Sequence, residues 1–199
     1  MNSRLFVAKL FIMLLTVSLV GCAASSNREG IELSGELSVE VTDDVAYLSG
    51  VLDSDLVDRL SDLIMENPNV TDLVLVDIRG SFDQQATMEG ARLIRRFGLN
   101  TQIASTGFVL SGGVDLFLGG VERAIGAGAG VGVHAWSDGT KIKAANLDPM
   151  DPVHAAYVNF YLEMGVPERF YWFSLEAAPE DRVYFLSPEE MYDYQLVTQ

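Results

Sequence analysis

Strand-like and helix-like periodicities alternate along this chain with short joins, and that pattern predicts an α/β fold in a single domain. Three observations carry the prediction. Leu73-Val74-Leu75-Val76-Asp77-Ile78 is a compact apolar run of the kind buried on both faces of a parallel sheet. Amphipathic helical stretches stand on either side of it. No repeat of fixed period and no Pro-rich linker divides the chain, and about 178 residues after the leader suffice for one core.

The leader comes first. Arg4 and Lys9 precede an apolar run from Leu10 to Val20, so residues 1–21 read as a secretory signal. At about 11 residues the run is shorter than the roughly 20 a spanning helix needs. Its ending, Leu19-Val20-Gly21-Cys22, resembles the bacterial lipobox, in which the cysteine is acylated. The resemblance implies an outer-membrane lipoprotein facing the periplasm, with palmitate-type chains on Cys22 and Ala23 after it rather than aspartate. Several acyl chains at about 0.8 kcal/mol per buried methylene would hold it permanently. Cys22 is the only cysteine, which excludes an intramolecular disulfide and a cysteine-based metal site.

Past the leader stand 11 basic against 28 acidic side chains, a net −17. Such a surface excludes nucleic acid and anionic lipid as electrostatic partners, so the membrane is expected to be reached through the lipid alone.

Residues 22–32 are small and polar and read as a lipidated tether; residues 33–199 form the expected domain. Leu33 to Val41 and Val45 to Val51 alternate as two strands around a Thr42-Asp43-Asp44 turn. Leu56, Val57, Leu60, Leu63 and Ile64 share one helix face, closed by Asn67-Pro68. After the buried strand, Arg79-Gly80-Ser81 turns into a helix striped by Ala86, Gly90, Leu93, Ile94 and Phe97. Thr101 to Ser105 reads as the next strand. A right-handed α/β unit is the expectation. Beyond lie a polar loop from Asp138 to Asp148, a helix from Asp151 to Met164, another from Pro167 through Leu175, and a tail ending in strand-like Gln195-Leu196-Val197.

The chemistry concentrates in Leu110-Ser111-Gly112-Gly113-Val114-Asp115 and in Val131-Gly132-Val133-His134. A serine opening a helix and a histidine closing a strand are the two parts of an acyl-transfer nucleophile. The Gly112 N–H is a natural oxyanion donor, and Gly80, just past the buried strand, is placed to supply a second. A helix of about ten residues advances roughly 15 Å, and a returning strand can bring His134 back to the serine. The bland alternative makes Ser111 an N-cap and His134 a strand-end residue bonded to a carbonyl. His154 reads as structural. With the two histidines twenty residues apart and no H-E-x-x-H, neither metal nor cofactor is expected. Glu180-Asp181 offers an orienting acid from a distant segment, whereas Asp115 is expected to face solvent or a partner.

These pieces resemble the Clp protease proteolytic subunit and the crotonase superfamily: Ser-Gly-Gly-x-x-x-Phe-x-x-Gly, then Gly-Val-His, then Phe185-Leu186-Ser187-Pro188-Glu189-Glu190 in the tail. Met164-Gly165-Val166 resembles periplasmic proteins of that fold. The resemblance runs from Leu73 to the C-terminus and implies a Clp/crotonase-like ββα superhelix. It implies Ser111 as nucleophile, His134 as base, Gly80 and Gly112 as oxyanion donors, a peptide or protein substrate, and self-association; Asp181 completes the expected site as its acid only through a local shift. The chain departs from the family in three places, one of them being Leu110 and Gly113, where the periplasmic relatives usually carry small residues and cysteines around the serine. Arg79-Gly80-Ser81-Phe82 stands where Ser-Pro-Gly-Gly is usual, and Val183 stands at the acid position, two residues from Asp181. The expected function is a lipid-anchored serine hydrolase, a peptidase first. The alternative is an inactive envelope protein of the same fold that binds a partner or peptide. Acyl-CoA chemistry is the weaker third reading, since no basic cluster is present for the CoA phosphates.

Overall fold

The centre of the molecule is a strand that changes neighbours halfway along, β4 (Asn100–Leu110). The computed structural model describes residues 35–138 and 142–198. The leader, Cys22, the tether 22–32 and the first two residues of the expected domain lie outside the described residues, as does part of the 138–148 loop.

β1 (Ser38–Thr42) and β2 (Val45–Leu52) form an antiparallel hairpin, turning through Asp43 at φ 55°, a left-handed conformation that aspartate tolerates. From β2 the chain passes through α1 (Leu56–Glu66) to β3 (Asp72–Ser81), then through α2 (Gln84–Arg96) to β4. β2, β3 and β4 are parallel neighbours, as the helix-separated apolar runs predict. The helices lay Leu56, Leu60, Leu63, Ala91 and Ile94 against Leu73, Leu75 and Ile78, all buried. Each fully buried leucine stabilises the fold by about 2 kcal/mol.

β4 is twice the length the sequence suggests. Its first half pairs with β5 (Arg123–Ile125) and its last three residues with β6 (Gly130–Val133), both parallel. Between the halves its register against β3 jumps, from Leu75↔Ile103 to Asp77↔Phe108. Gly107 makes the bulge possible, because a Cβ there would stand 2.8 Å from the Val76 carbonyl oxygen. The bulge lengthens β4 so that it ends directly at the serine, with no intervening loop.

The helix after the serine, α3 (Gly112–Phe117), has six residues rather than about ten. Gly119 and Gly120 follow it because the chain runs hard against α2 and β4; a Cβ on Gly119 would sit 2.5 Å from the Ala91 carbonyl oxygen. α4 (Pro152–Glu163) starts on the Asp151 cap, α5 (Glu168–Ala177) follows, and β7 (Tyr184–Phe185) pairs antiparallel with β6. α6 (Pro188–Asp193) opens with a Ser187–Glu190 capping box.

The tail corrects one expectation. Residues 195–197 are no strand: Gln195 turns at φ 60° and Leu196 is fully buried. Buried Arg123 explains why. Its guanidinium donates to the carbonyls of Leu196 (2.8 Å), Gln195 (3.0 Å), Met164 (2.8 Å) and Leu118 (3.2 Å), so the tail is held by a side chain instead of a sheet. Burial, with a smaller push from Arg95, lowers its pKa to about 10, and it stays charged near neutrality. Among the described residues, no helix is long and apolar enough to cross a membrane.

Candidate active site

Ser111 sits where β4 turns into α3, at φ 52°, ψ −127°. For a residue with a Cβ this conformation costs about 1–3 kcal/mol. Its N–H donates to the Gly132 carbonyl (2.9 Å), continuing the β4–β6 ladder one residue past Leu110↔Gly132. His134 follows β6 directly. The serine and the histidine therefore leave adjacent parallel strands at the same edge, and neighbouring strands lie about 4.8 Å apart. Both line one cleft of about 510 Å³, together with Ser81, Trp136, Tyr157 and Glu180.

The histidine's orientation is set locally. Its Nδ1 lies 2.9 Å from the carbonyl oxygen of Ala135. A carbonyl can only accept, so Nδ1 carries a proton; in the neutral ring Nε2 is then the acceptor, the tautomer a general base needs.

Gly112 is buried against the end of β3. A Cβ there would stand 2.6 Å from that of Ser81, so only glycine lets α3 start this close to the strand. Its N–H belongs to the first helical turn, whose amides have no partner within the helix. Gly80 is buried at φ 142°, a region that favours glycine, and its neighbours Arg79 and Ser81 supply cleft wall.

The expected acid needs correction. Asp181 is 70% exposed and turns its carboxylate toward Arg182 (3.9 Å), because the chain there runs along the surface before β7. Its neighbour Glu180 lines the cleft. An ion pair with Lys143, a bond within its own backbone and the nearby His134 lower the Glu180 pKa. Antiparallel register sets Val183 opposite His134, one step beyond Val133↔Tyr184.

Asp115 corrects a second expectation. It does not face solvent: it is 6% exposed beneath the serine, accepting from the Tyr161 hydroxyl (2.7 Å) and the Gln84 amide (2.6 Å). Burial raises its pKa to about 6 against the opposing pull of those two bonds. The signal was present in the sequence. Gly112 to Leu118 carries no other polar side chain, and a helix apolar all round is a buried helix.

Aromatic rings close the inner wall. Trp136 stacks on Tyr157 (5.2 Å between centroids) and Tyr157 on Tyr171 (5.3 Å). The Tyr171 oxygen accepts from the Trp136 indole N–H (3.1 Å) and lies 2.6 Å from the His154 Nδ1, leaving His154 buried and bonded. Burial lifts the Tyr171 pKa to about 12. No group of three or more potential metal ligands occurs among the described residues.

No protein-family model and no curated protein matches this sequence. Solved structures do resemble it. A serine-to-alanine mutant of the membrane-bound stomatin-specific protease 1510-N is 17% identical over 80% of each chain, with a TM-score of 0.51. DspI of Pseudomonas aeruginosa is 17% identical, covering 83% of this chain and 73% of its own, at 0.53. A putative enoyl-CoA hydratase from Streptomyces coelicolor A3(2) is 18% identical over 92% of this chain and 71% of its own, at 0.52. Likeness at these identities is a likeness of fold, and the fold is a single α/β domain of the Clp/crotonase type.

Proposed function

We propose that the chain is a serine hydrolase, a peptidase first, working with Ser111 and His134. The observation that carries the reading is the β4–β6 register, which brings a strained serine and a histidine of the correct tautomer to one cleft. In this scheme the Ser111 Oγ attacks the scissile carbonyl carbon while its proton passes to His134 Nε2. The carbonyl oxygen becomes an oxyanion, stabilised by the Gly112 N–H and by a second donor from the Gly80 turn. Collapse breaks the C–N bond, and His134 returns the proton to the leaving amine. Water then attacks the acyl-serine, giving its proton to His134, and the acid leaves with Ser111 restored.

The Ala135 carbonyl fills the orienting role that an aspartate has in the full triad, with Glu180 as the nearest cleft carboxylate rather than Asp181. Similarity in fold to a protease supports a peptide substrate. The Leu19-Val20-Gly21-Cys22 sequence supports lipid anchorage at the periplasmic face of the envelope. Two measurements test these readings. A fluorophosphonate probe should label the detergent-solubilised parent and not Ser111→Ala; equal labelling would overturn the nucleophile. Radiolabelled palmitate should enter the parent and not Cys22→Ser.

A second reading has one observation behind it: no carboxylate is bonded to His134 among the described residues. The fold would then serve as a binding module for a peptide or protein partner. Peptide binding that persists in a Ser111→Ala, His134→Ala double variant, with no turnover by the parent, would favour it.

A further inference from the structure

We propose that the cavity adjoining the cleft at Ser111 is a recognition pocket for a primary ammonium group, carried by a lysine-type side chain, with Asp115 as the counter-charge. Beside the cleft, at Ser111, lies a narrow cavity of about 30 Å³ lined by Asp115, Val133, Tyr157, Tyr171 and Ser174. The two spaces share Gln84, Ser111, His134, Trp136 and Tyr157, so they adjoin at the serine.

Asp115 makes this cavity unusual. Its partners are a phenol and an amide, both neutral, and it forms no ion pair with a cation among the described residues. A carboxylate offers about four acceptor positions, and two are used. A buried anion with no counter-charge is strongly disfavoured, and an entering cation offsets that penalty against its own desolvation.

The groups facing it bear on the charge preference. Tyr157, Tyr161 and Tyr171 are held above their ordinary pKa by burial and by Asp115 itself, so they stay neutral. His134 stands at the mouth and donates its Nδ1 proton to Ala135. Trp136, Tyr157 and Tyr171 line the cavity but stack face on face, so they set its shape and leave the charge preference to Asp115. Size then selects among cations. The cavity has room for about two waters, which suits an ammonium and its last methylene but not a planar guanidinium. A side chain entering here belongs to the residue whose carbonyl lies at Ser111. That last step rests on the hydrolase reading; the ammonium pocket does not.

The test uses full-length protein in detergent carrying Trp172→Phe, which leaves Trp136 as the single indole. Titration with n-butylammonium chloride at constant ionic strength should shift Trp136 emission saturably, while n-butanol should not. Asp115→Asn should weaken the amine response by about tenfold or more. Tyr157→Leu, which keeps the carboxylate, should weaken it severalfold. An equal response to alcohol and amine, or an unchanged response in Asp115→Asn, overturns the pocket. Should that variant fail to fold, an unchanged response in Tyr157→Leu does the same. Peptide amides with lysine or norleucine on the acyl side complete the test. Their kcat/KM ratio should favour lysine by about tenfold and fall toward unity in Asp115→Asn. Equal turnover of both overturns the substrate assignment. No turnover and no fluorophosphonate labelling counts against the hydrolase alone, and the amine titration still decides the pocket.

Discussion

The Ser111 N–H donates to the carbonyl of Gly132 over 2.9 Å, two residues before His134. This bond ties the strained turn to the strand that delivers the imidazole. A Cβ on Gly132 would stand 2.4 Å from Val183 and 2.6 Å from Leu110. Gly132→Val should push β6 away from β4 and lower the rate of Ser111 labelling by about a hundredfold, the usual penalty for a displacement near 1 Å. Labelling kinetics on folded protein check it.

Gly112→Ala should destabilise the protein by about 1–3 kcal/mol, since the new methyl meets the Ser81 Cβ at 2.6 Å in a packed core. A fall in the urea midpoint with unchanged slope is the expected result. An unchanged midpoint would mean that α3 can move off β3.

Asp115 should impose a pH dependence on stability. Its pKa is raised from 3.8 to about 6 by burial. Between those values the folded protein keeps a proton that the unfolded chain has released, so stability falls as pH rises from about 4 to about 6. The full penalty is about 3 kcal/mol and is complete above that window. Asp115→Asn should flatten this part of the profile relative to the parent, and Tyr161→Phe, which removes a donor to the carboxylate, should steepen it. Urea unfolding at pH 4, 5, 6 and 7 reads both.

Arg123→Met should cost about 2–5 kcal/mol, because it strands the carbonyls of Leu196 and Gln195, whereas those of Leu118 and Met164 keep a bond from Arg95. Hydrogen exchange should show the loss first in residues 195–198, since the Arg123 and Thr198 backbones also bond each other. Protection unchanged in that tail would contradict the clamp.

The two neighbouring acids should part company. Glu180→Gln removes a cleft carboxylate near His134 and should lower kcat and shift its pH profile, whereas Asp181→Asn, facing Arg182, should change neither. Equal effects would return Asp181 to the site.

Much of the first half of the fold is readable from local pattern. The helix face of Leu56, Leu60 and Leu63 obeys a period near 3.6. Of the expected α2 stripe, Gly90 and Ile94 are buried whereas Phe97 is exposed. Leu73, Val74, Leu75 and Ile78 of the apolar run are buried, while Val76 and Asp77 are only partly so. Local pattern failed where a distant partner decided. Residues 195–197 look like a strand, yet Arg123, some seventy positions earlier, holds their carbonyls. Asp115 looks like a solvated charge, yet Tyr161 and Gln84 from two other helices enclose it.

By itself the sequence determined the inward face of α1, where α1 and α2 lie, and that one serine and one histidine stand at element ends, because these follow from neighbours a few positions away. The tertiary structure alone decided that β4 is bulged at Gly107 and long enough to end on Ser111, that β6 lies beside it in the register that sets His134 at the same edge, and that Glu180 rather than Asp181 turns into the cleft. Register and strand order are settled by packing among segments far apart in the chain, and no local propensity encodes them.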